Sequence, residues 1–262
     1  MNNQVIWITG ASSGIGKSLA IAYSKGDVKL ILSSRNEEAL NEVRSLCKNP
    51  DNVKVLPLDL EQYETLTTKT TEAIKLFSKI DLLINNGGIS QRSLIRETSL
   101  EVDQRIMAIN YLGNIALTKA LLPHFIKNQK GHFVVTSSVV GKFGTPLRSS
   151  YSASKHALHG FYDALRAEHF KDKITVSLVC PGFVATEVSK NALVGDGSKQ
   201  GARDTATEKG MHPDRFAKLM IKAIKNKKAE VYIGGAKEKV GVYARRYLPT
   251  LYYRLVRKWN VT

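Results

Sequence analysis

The chain has 262 residues, 43% of them hydrophobic and 24% charged, an ordinary globular composition that excludes general disorder and fits one large α/β domain without a second. Its two cysteines, Cys47 and Cys180, are far apart and form no CxxC pair or cluster with histidine, which excludes a disulfide framework, gives no reason to expect a metal, and suits a reducing cytoplasm. The net charge of +16 is uneven: residues 214–262 carry 13 Lys or Arg against three acids, so the carboxyl end needs its own explanation.

Short apolar or β-branched runs predict strands at 5–9, 28–34, 53–57, 80–85, 131–137, 174–180 and 230–233. Helical periodicity fills the gaps at 14–25, 37–47, 61–77, 111–127, 151–170 and 214–225. This alternation predicts an α/β chain with a single Rossmann-like doubly wound domain over 1–235, a seven-stranded parallel sheet with helices on both faces. Residues 187–212 contain Gly195, Gly197 and Gly201 and lack a periodic core; they read as a mobile loop after a strand's carboxyl end, where a lid over a ligand would sit. A basic amphipathic extension follows at 236–262. No stretch reaches the roughly 20 apolar residues of a membrane span, and the amino terminus lacks the features of a signal peptide.

The first strand runs into Thr9-Gly10-Ala11-Ser12-Ser13-Gly14-Ile15-Gly16 and then a helix. Glycines there allow a tight turn and close backbone approach, and free helix amides attract a pyrophosphate; any sharp strand-to-helix turn uses glycine too, so position is the stronger argument. The second strand ends in Ser34-Arg35 with no acid before Glu37. An acid at that place holds ribose hydroxyls, whereas an arginine fork suits a 2′-phosphate, so NADP(H) is expected over NAD(H). Asp59 after the third strand and Asn85-Asn86-Gly87-Gly88 after the fourth suit an adenine amino group and a closely approaching cofactor, or serve only as turn punctuation.

Ser138 follows the fifth strand, and Tyr151 and Lys155 stand one helical turn apart, so phenol and ammonium share a face. Hydride reduction of a ketone needs a proton donor at the developing alkoxide, and the reverse needs a base. Lysine lowers a tyrosine's pKa toward that task, and a serine hydroxyl can hydrogen-bond the substrate oxygen.

Together TGASSGIG at 9–16, Asp59, NNGG at 85–88, Asn110, Ser138, Tyr151 with Lys155, and Pro181-Gly182 with Thr186 resemble the short-chain dehydrogenase/reductase family across residues 9 to about 234. The resemblance implies an oxidoreductase with catalytic Asn110, Ser138, Tyr151 and Lys155, Tyr151 being the acid/base and Asn110 supporting a water in the proton relay. It implies cofactor contacts from Gly10, Ser12, Ser13, Gly14, Ile15, Gly16, Ser34, Arg35, Asp59, Leu60, Asn86, Gly87, Tyr151, Lys155, Pro181, Gly182 and Thr186. Gly87 departs from the family's usual NNAG, with the loss of one methyl. The run from Asn86 to Ser93 is similar to the member-7-type branch, related to 11-beta-hydroxysteroid dehydrogenases. Such enzymes act on steroids, retinoids or other lipophilic carbonyls and carry an amino-terminal anchor, for which this sequence has no segment. Dimers or tetramers are expected, through the helices near Tyr111 and Tyr151. A 3-ketoacyl-carrier-protein-type reductase is the alternative within the enzyme class, and a non-catalytic NADP(H) sensor the alternative outside it.

From Pro249 the tail suits a helix with Leu248, Leu251, Tyr252, Leu255 and Trp259 on one side and Arg254, Arg257 and Lys258 opposite. Packing on the domain or a subunit contact is favoured over peripheral membrane contact, because most amphipathic helices pack. The basic balance also fits nucleic acid, but no nucleic-acid motif accompanies it and none is expected as partner.

Overall fold

The computed structural model describes residues 3–257. In chain order the elements are β1 (Gln4–Thr9), α1 (Gly14–Tyr23), β2 (Val28–Ser33), α2 (Glu37–Ser45), β3 (Val53–Val55), α3 (Leu66–Phe77), β4 (Leu82–Asn85), α4 (Leu100–Met107), α5 (Gly113–Lys127), β5 (Gly131–Thr136), α6 (Ser149–Glu168), β6 (Ile174–Pro181), α7 (Thr205–Glu208), α8 (Pro213–Lys225), β7 (Glu230–Ile233), α9 (Ala236–Tyr247) and α10 (Pro249–Val256). The seven strands form one sheet in the order β3-β2-β1-β4-β5-β6-β7, parallel throughout. Strand order reverses between β1 and β4, and the crevice beyond their carboxyl ends is where such sheets bind ligands.

Alternation along the strands divides the core. Ile6 and Ile8 join Leu30, Leu32, Phe216 and Met220 under α1, α2 and α8, while Val5 and Trp7 join Leu117, Phe125, Leu158 and Tyr162 under α3, α5 and α6. Every one of these side chains is buried, and both faces of the parallel sheet are covered, which explains its continuous apolar strands. Ser18 donates to Asp214 at 2.7 Å and ties α1 to α8.

Some expectations change. The third strand is shorter than predicted, and the helix expected from 61 opens with a 3-10 turn at Tyr63–Thr65. A π-helical turn, Ala108–Leu112, precedes α5. Three helices differ from the expectation, α4, α7 and α9; α4 and α9 are rich in charge, with Val102 and Ile106 the only buried residues of α4. The 187–212 segment is not a free loop. It forms the short helix α7, its Leu193 bridges to Gln91 and to Lys199, and Ser189, Ala192, Leu193, Asp204 and Thr207 are buried. Its anchors are spread along the sequence rather than periodic, so no helical or strand pattern reveals them.

Candidate functional site

A cleft of about 640 Å³ runs along the carboxyl ends of the strands, from Arg35 beyond β2 to Tyr151 and Lys155 on α6. Seventeen of the sequence-predicted residues line it: Gly10, Ser12, Ser13, Gly14, Ile15, Ser34, Arg35, Asp59, Leu60, Asn86, Gly87, Ser138, Tyr151, Lys155, Pro181, Gly182 and Thr186. Gly16 and Asn110 lie behind its wall.

The turn after β1 depends on glycine. Gly10 has φ +63°, and a Cβ there would stand 2.7 Å from the Gly87 main chain, a conformation and a distance that other residues do not tolerate. Gly16 is a packing residue, because a Cβ would fall 2.1 Å from the Gly10 carbonyl oxygen. Ser13 begins α1 without a side-chain cap, which leaves the first helix amides for an anion. Asn86 holds this turn against β4, donating to the carbonyls of Thr9 at 3.2 Å and Gly10 at 3.3 Å. At Gly87, an alanine methyl would press on Leu60 Cδ1 at 2.7 Å, so the space left by the family departure is taken by leucine. Bare backbone, uncapped amides and an exposed Arg35 at the rim fit a nicotinamide dinucleotide. Asp59 also caps its own turn, accepting from Glu61 N at 3.0 Å.

Tyr151 lies in the first turn of α6, where the helix dipole favours an anion. Burial pushes its hydroxyl up, opposed by the charge of Arg148, a hydrogen bond from Ser138 and the charge of Arg92. Lys155 is buried and donates to the Thr136 carbonyl at 2.8 Å, with its ammonium 5.8 Å from the Tyr151 ring centre. Burial pushes it down to about 8. Asn110, on the π-helical turn, grips the chain beside the cleft: its side chain accepts from Ile89 N at 2.8 Å and donates to Ile89 O at 2.9 Å and to Ser154 at 3.1 Å.

Four residues to which the sequence pattern assigns no role, Gln91, Arg92, Arg148 and Asp204, hold this end together. Gln91 accepts from Ser150 N at 2.9 Å and Tyr151 N at 3.3 Å, capping α6 from 60 positions away in the chain, since α6 has no side-chain cap of its own. Asp204, from the 187–212 segment, accepts from Arg92 Nε at 2.8 Å and Nη2 at 2.5 Å and lies 3.5 Å from Arg148. Burial pushes the Asp204 carboxyl up, but Arg92, Gln200 and the charge of Arg148 outweigh it and hold it below its ordinary value. Leu147, just before Arg148, has φ +64°, a conformation that is costly for leucine. Gln91 and Arg92 stood inside the motif that marked the branch, yet nothing local says what they touch.

An open parallel sheet with a bare glycine turn at one end of its cleft and Ser138, Tyr151 and Lys155 at the other fits a nicotinamide-dependent oxidoreductase. The short chain dehydrogenase family profile matches residues 4–195, and the chain belongs to that family, in its member-7-type branch. It is 41% identical over 260 residues to a dehydrogenase/reductase SDR family protein 7-like of Drosophila melanogaster, covering 97% of this chain and 80% of that one. It is 38% identical to a dehydrogenase/reductase SDR family member 7B of Xenopus tropicalis, covering 97% and 84%. A short-chain dehydrogenase from Streptomyces avermitilis superposes with a TM-score of 0.83 at 23% identity over 98% of this chain and 99% of that one. A reductase from Burkholderia phymatum, solved with NAD, gives 0.82 at 22% over 100% and 97%. An alcohol dehydrogenase from Thermococcus sibiricus, complexed with 5-hydroxy-NADP, gives 0.76 at 24% over 90% and 97%. These neighbours share the fold, and the last two hold NAD and an NADP derivative respectively. Among the described residues no helix is long and apolar enough to cross a membrane.

Proposed function

We propose that this protein is an NADP(H)-dependent carbonyl reductase, and a dehydrogenase of the corresponding alcohols, acting on lipophilic ketones or aldehydes. The reading rests on the convergence of Ser138, Tyr151 and Lys155 on one wall of the cleft that begins at the Gly10 turn. Arg35 supports the phosphorylated cofactor, because it lies exposed at the adenosine end with Ser34 beside it and guanidinium pairs strongly with phosphate. A smaller cavity of about 80 Å³ adjoins Ser138 and Tyr151, and Val139, Val140, Phe143 and Phe183 among its walls support an apolar substrate.

When bound, the nicotinamide supplies or accepts the hydride. Tyr151 gives its proton to the carbonyl oxygen as negative charge develops there, and Ser138 donates a hydrogen bond to the same atom. The Lys155 ammonium and the amino end of α6 stabilise the phenolate left behind. In the oxidative direction the phenolate takes the alcohol proton. The family resemblance further supports a dimer or tetramer through α5 and α6, which gel filtration checks.

Loss of NADPH absorbance with a panel of ketones of increasing apolar size tests this function. Turnover that improves with apolar size is the expected result; cofactor binding without turnover of any carbonyl would overturn the reading.

A further inference from the structure

The carboxyl-terminal helices touch the domain with little of their surface. Val242 of α9 and Tyr252 of α10 pack on Val139, Val140 and Phe143, and Tyr252 donates to the Gly144 carbonyl at 2.7 Å. The apolar stripe expected along the tail does not sit on the domain: of its described members only Tyr252 turns inward, while Leu248, Leu251 and Leu255 face out. Trp259 and Lys258 lie outside the described residues. Val240, Tyr243, Tyr247 and Tyr253 add to the exposed set, Tyr247 being 72% accessible and Val240 63%.

Charge on the same two helices is one-sided. Lys237, Lys239, Arg246, Arg254 and Arg257 are exposed, and Arg245 lies 5.1 Å from the Tyr253 ring centre. The acid among them, Glu238, turns inward and accepts from Phe183 N at 3.3 Å, so it does not neutralise the outer surface.

We propose that this helical hairpin docks the protein on an anionic lipid surface. Exposed leucine and valine gain from entering the acyl boundary, tyrosine suits the headgroup level where one end is apolar and the other wet, and each arginine or lysine is attracted to anionic headgroups. A second copy of the chain is a poor occupant, because two such faces would oppose cation to cation. Nucleic acid matches the charge but offers nothing to the exposed leucines and valine. Docking in this way brings the cavity beside Val139, Val140 and Phe143 close to the bilayer. The docking does not depend on the reductase reading.

Flotation of the full chain with vesicles of phosphatidylcholine alone, and of phosphatidylcholine with phosphatidylserine, tests the proposal. One variant combines Arg246→Glu with Arg254→Glu, another Tyr247→Ser with Leu251→Ser; all four positions are exposed, and a thermal melt checks that each variant remains folded. The protein is expected to float with the anionic vesicles and less so at high salt, and each variant to lose about tenfold or more in partitioning. No flotation, or equal flotation of wild type and both variants, overturns the proposal. So does a dimer that the variants dissociate without any vesicle binding, and so does a preference for duplex DNA over anionic vesicles.

Discussion

At the β1–β4 end of the cleft the main chain is what faces the cleft: the Gly10 turn, the uncapped amides of α1 and the bare Gly87 present backbone. At the β5–β6 end side chains take over, and they are held by partners far away in sequence. Gln91 caps α6, and Asp204 joins two arginines between the 187–212 segment and the start of α6. Backbone recognition needs a local motif and tolerates little change of shape. A side-chain network needs long-range partners and fails when one charge is removed.

The largest effect belongs to the side-chain end. Tyr151→Phe should lower turnover by about 10² to 10⁴, the usual worth of a general acid, while NADPH titration shows unchanged affinity; equal losses in both would mean that the two ends are not separable. Asp204→Asn comes next, leaving buried arginine charge without its carboxylate. Breaking a buried pair costs about 3–5 kcal/mol, which urea denaturation should register, and a change below about 1 kcal/mol would show that the 187–212 segment is held by something else.

Lys155 gives a smaller and pH-dependent effect. Burial lowers it to about 8, so below that pH the ammonium is present and favours the Tyr151 phenolate, the proposed base of alcohol oxidation. Lys155→Met removes that charge, so the oxidation rate should fall most below about pH 8, where the wild-type ammonium is present, and least above it; an equal loss at every pH would assign Tyr151 activation to Arg148 and the helix dipole alone. The smallest effect is expected at Gly87→Ala. The new methyl meets the end of the Leu60 side chain rather than backbone, so a loss of less than about 1 kcal/mol in cofactor affinity is expected by titration; a larger one would show that Leu60 cannot yield.

The contrast also explains what was legible in the sequence. Strand positions, the parallel sheet and the glycine turn follow from local patterns, as do Ser138 after β5 and the one-turn spacing of Tyr151 and Lys155. Asp204 was hidden because its partners Arg92 and Arg148 are distant in the chain, and a polar segment rich in glycine reads as free until its buried contacts are known. Asn110 was legible as a residue but not in its placement: it braces Ile89 from behind the cleft. In the tail the periodic stripe was visible, but periodicity alone does not say whether a stripe meets the domain, and of its described members only Tyr252 does.

The central claim is that this cleft holds a phosphorylated nicotinamide dinucleotide through Arg35, and fluorescence titration of NADPH and NADH into wild type and Arg35→Ala tests it most directly. The account predicts tighter binding of NADPH to wild type and a loss of about 1.5–3 kcal/mol in the variant, the worth of hydrogen bonds to a charged group, with NADH binding unaffected. Equal affinity for the two cofactors in wild type, or an unchanged preference in Arg35→Ala, would contradict it.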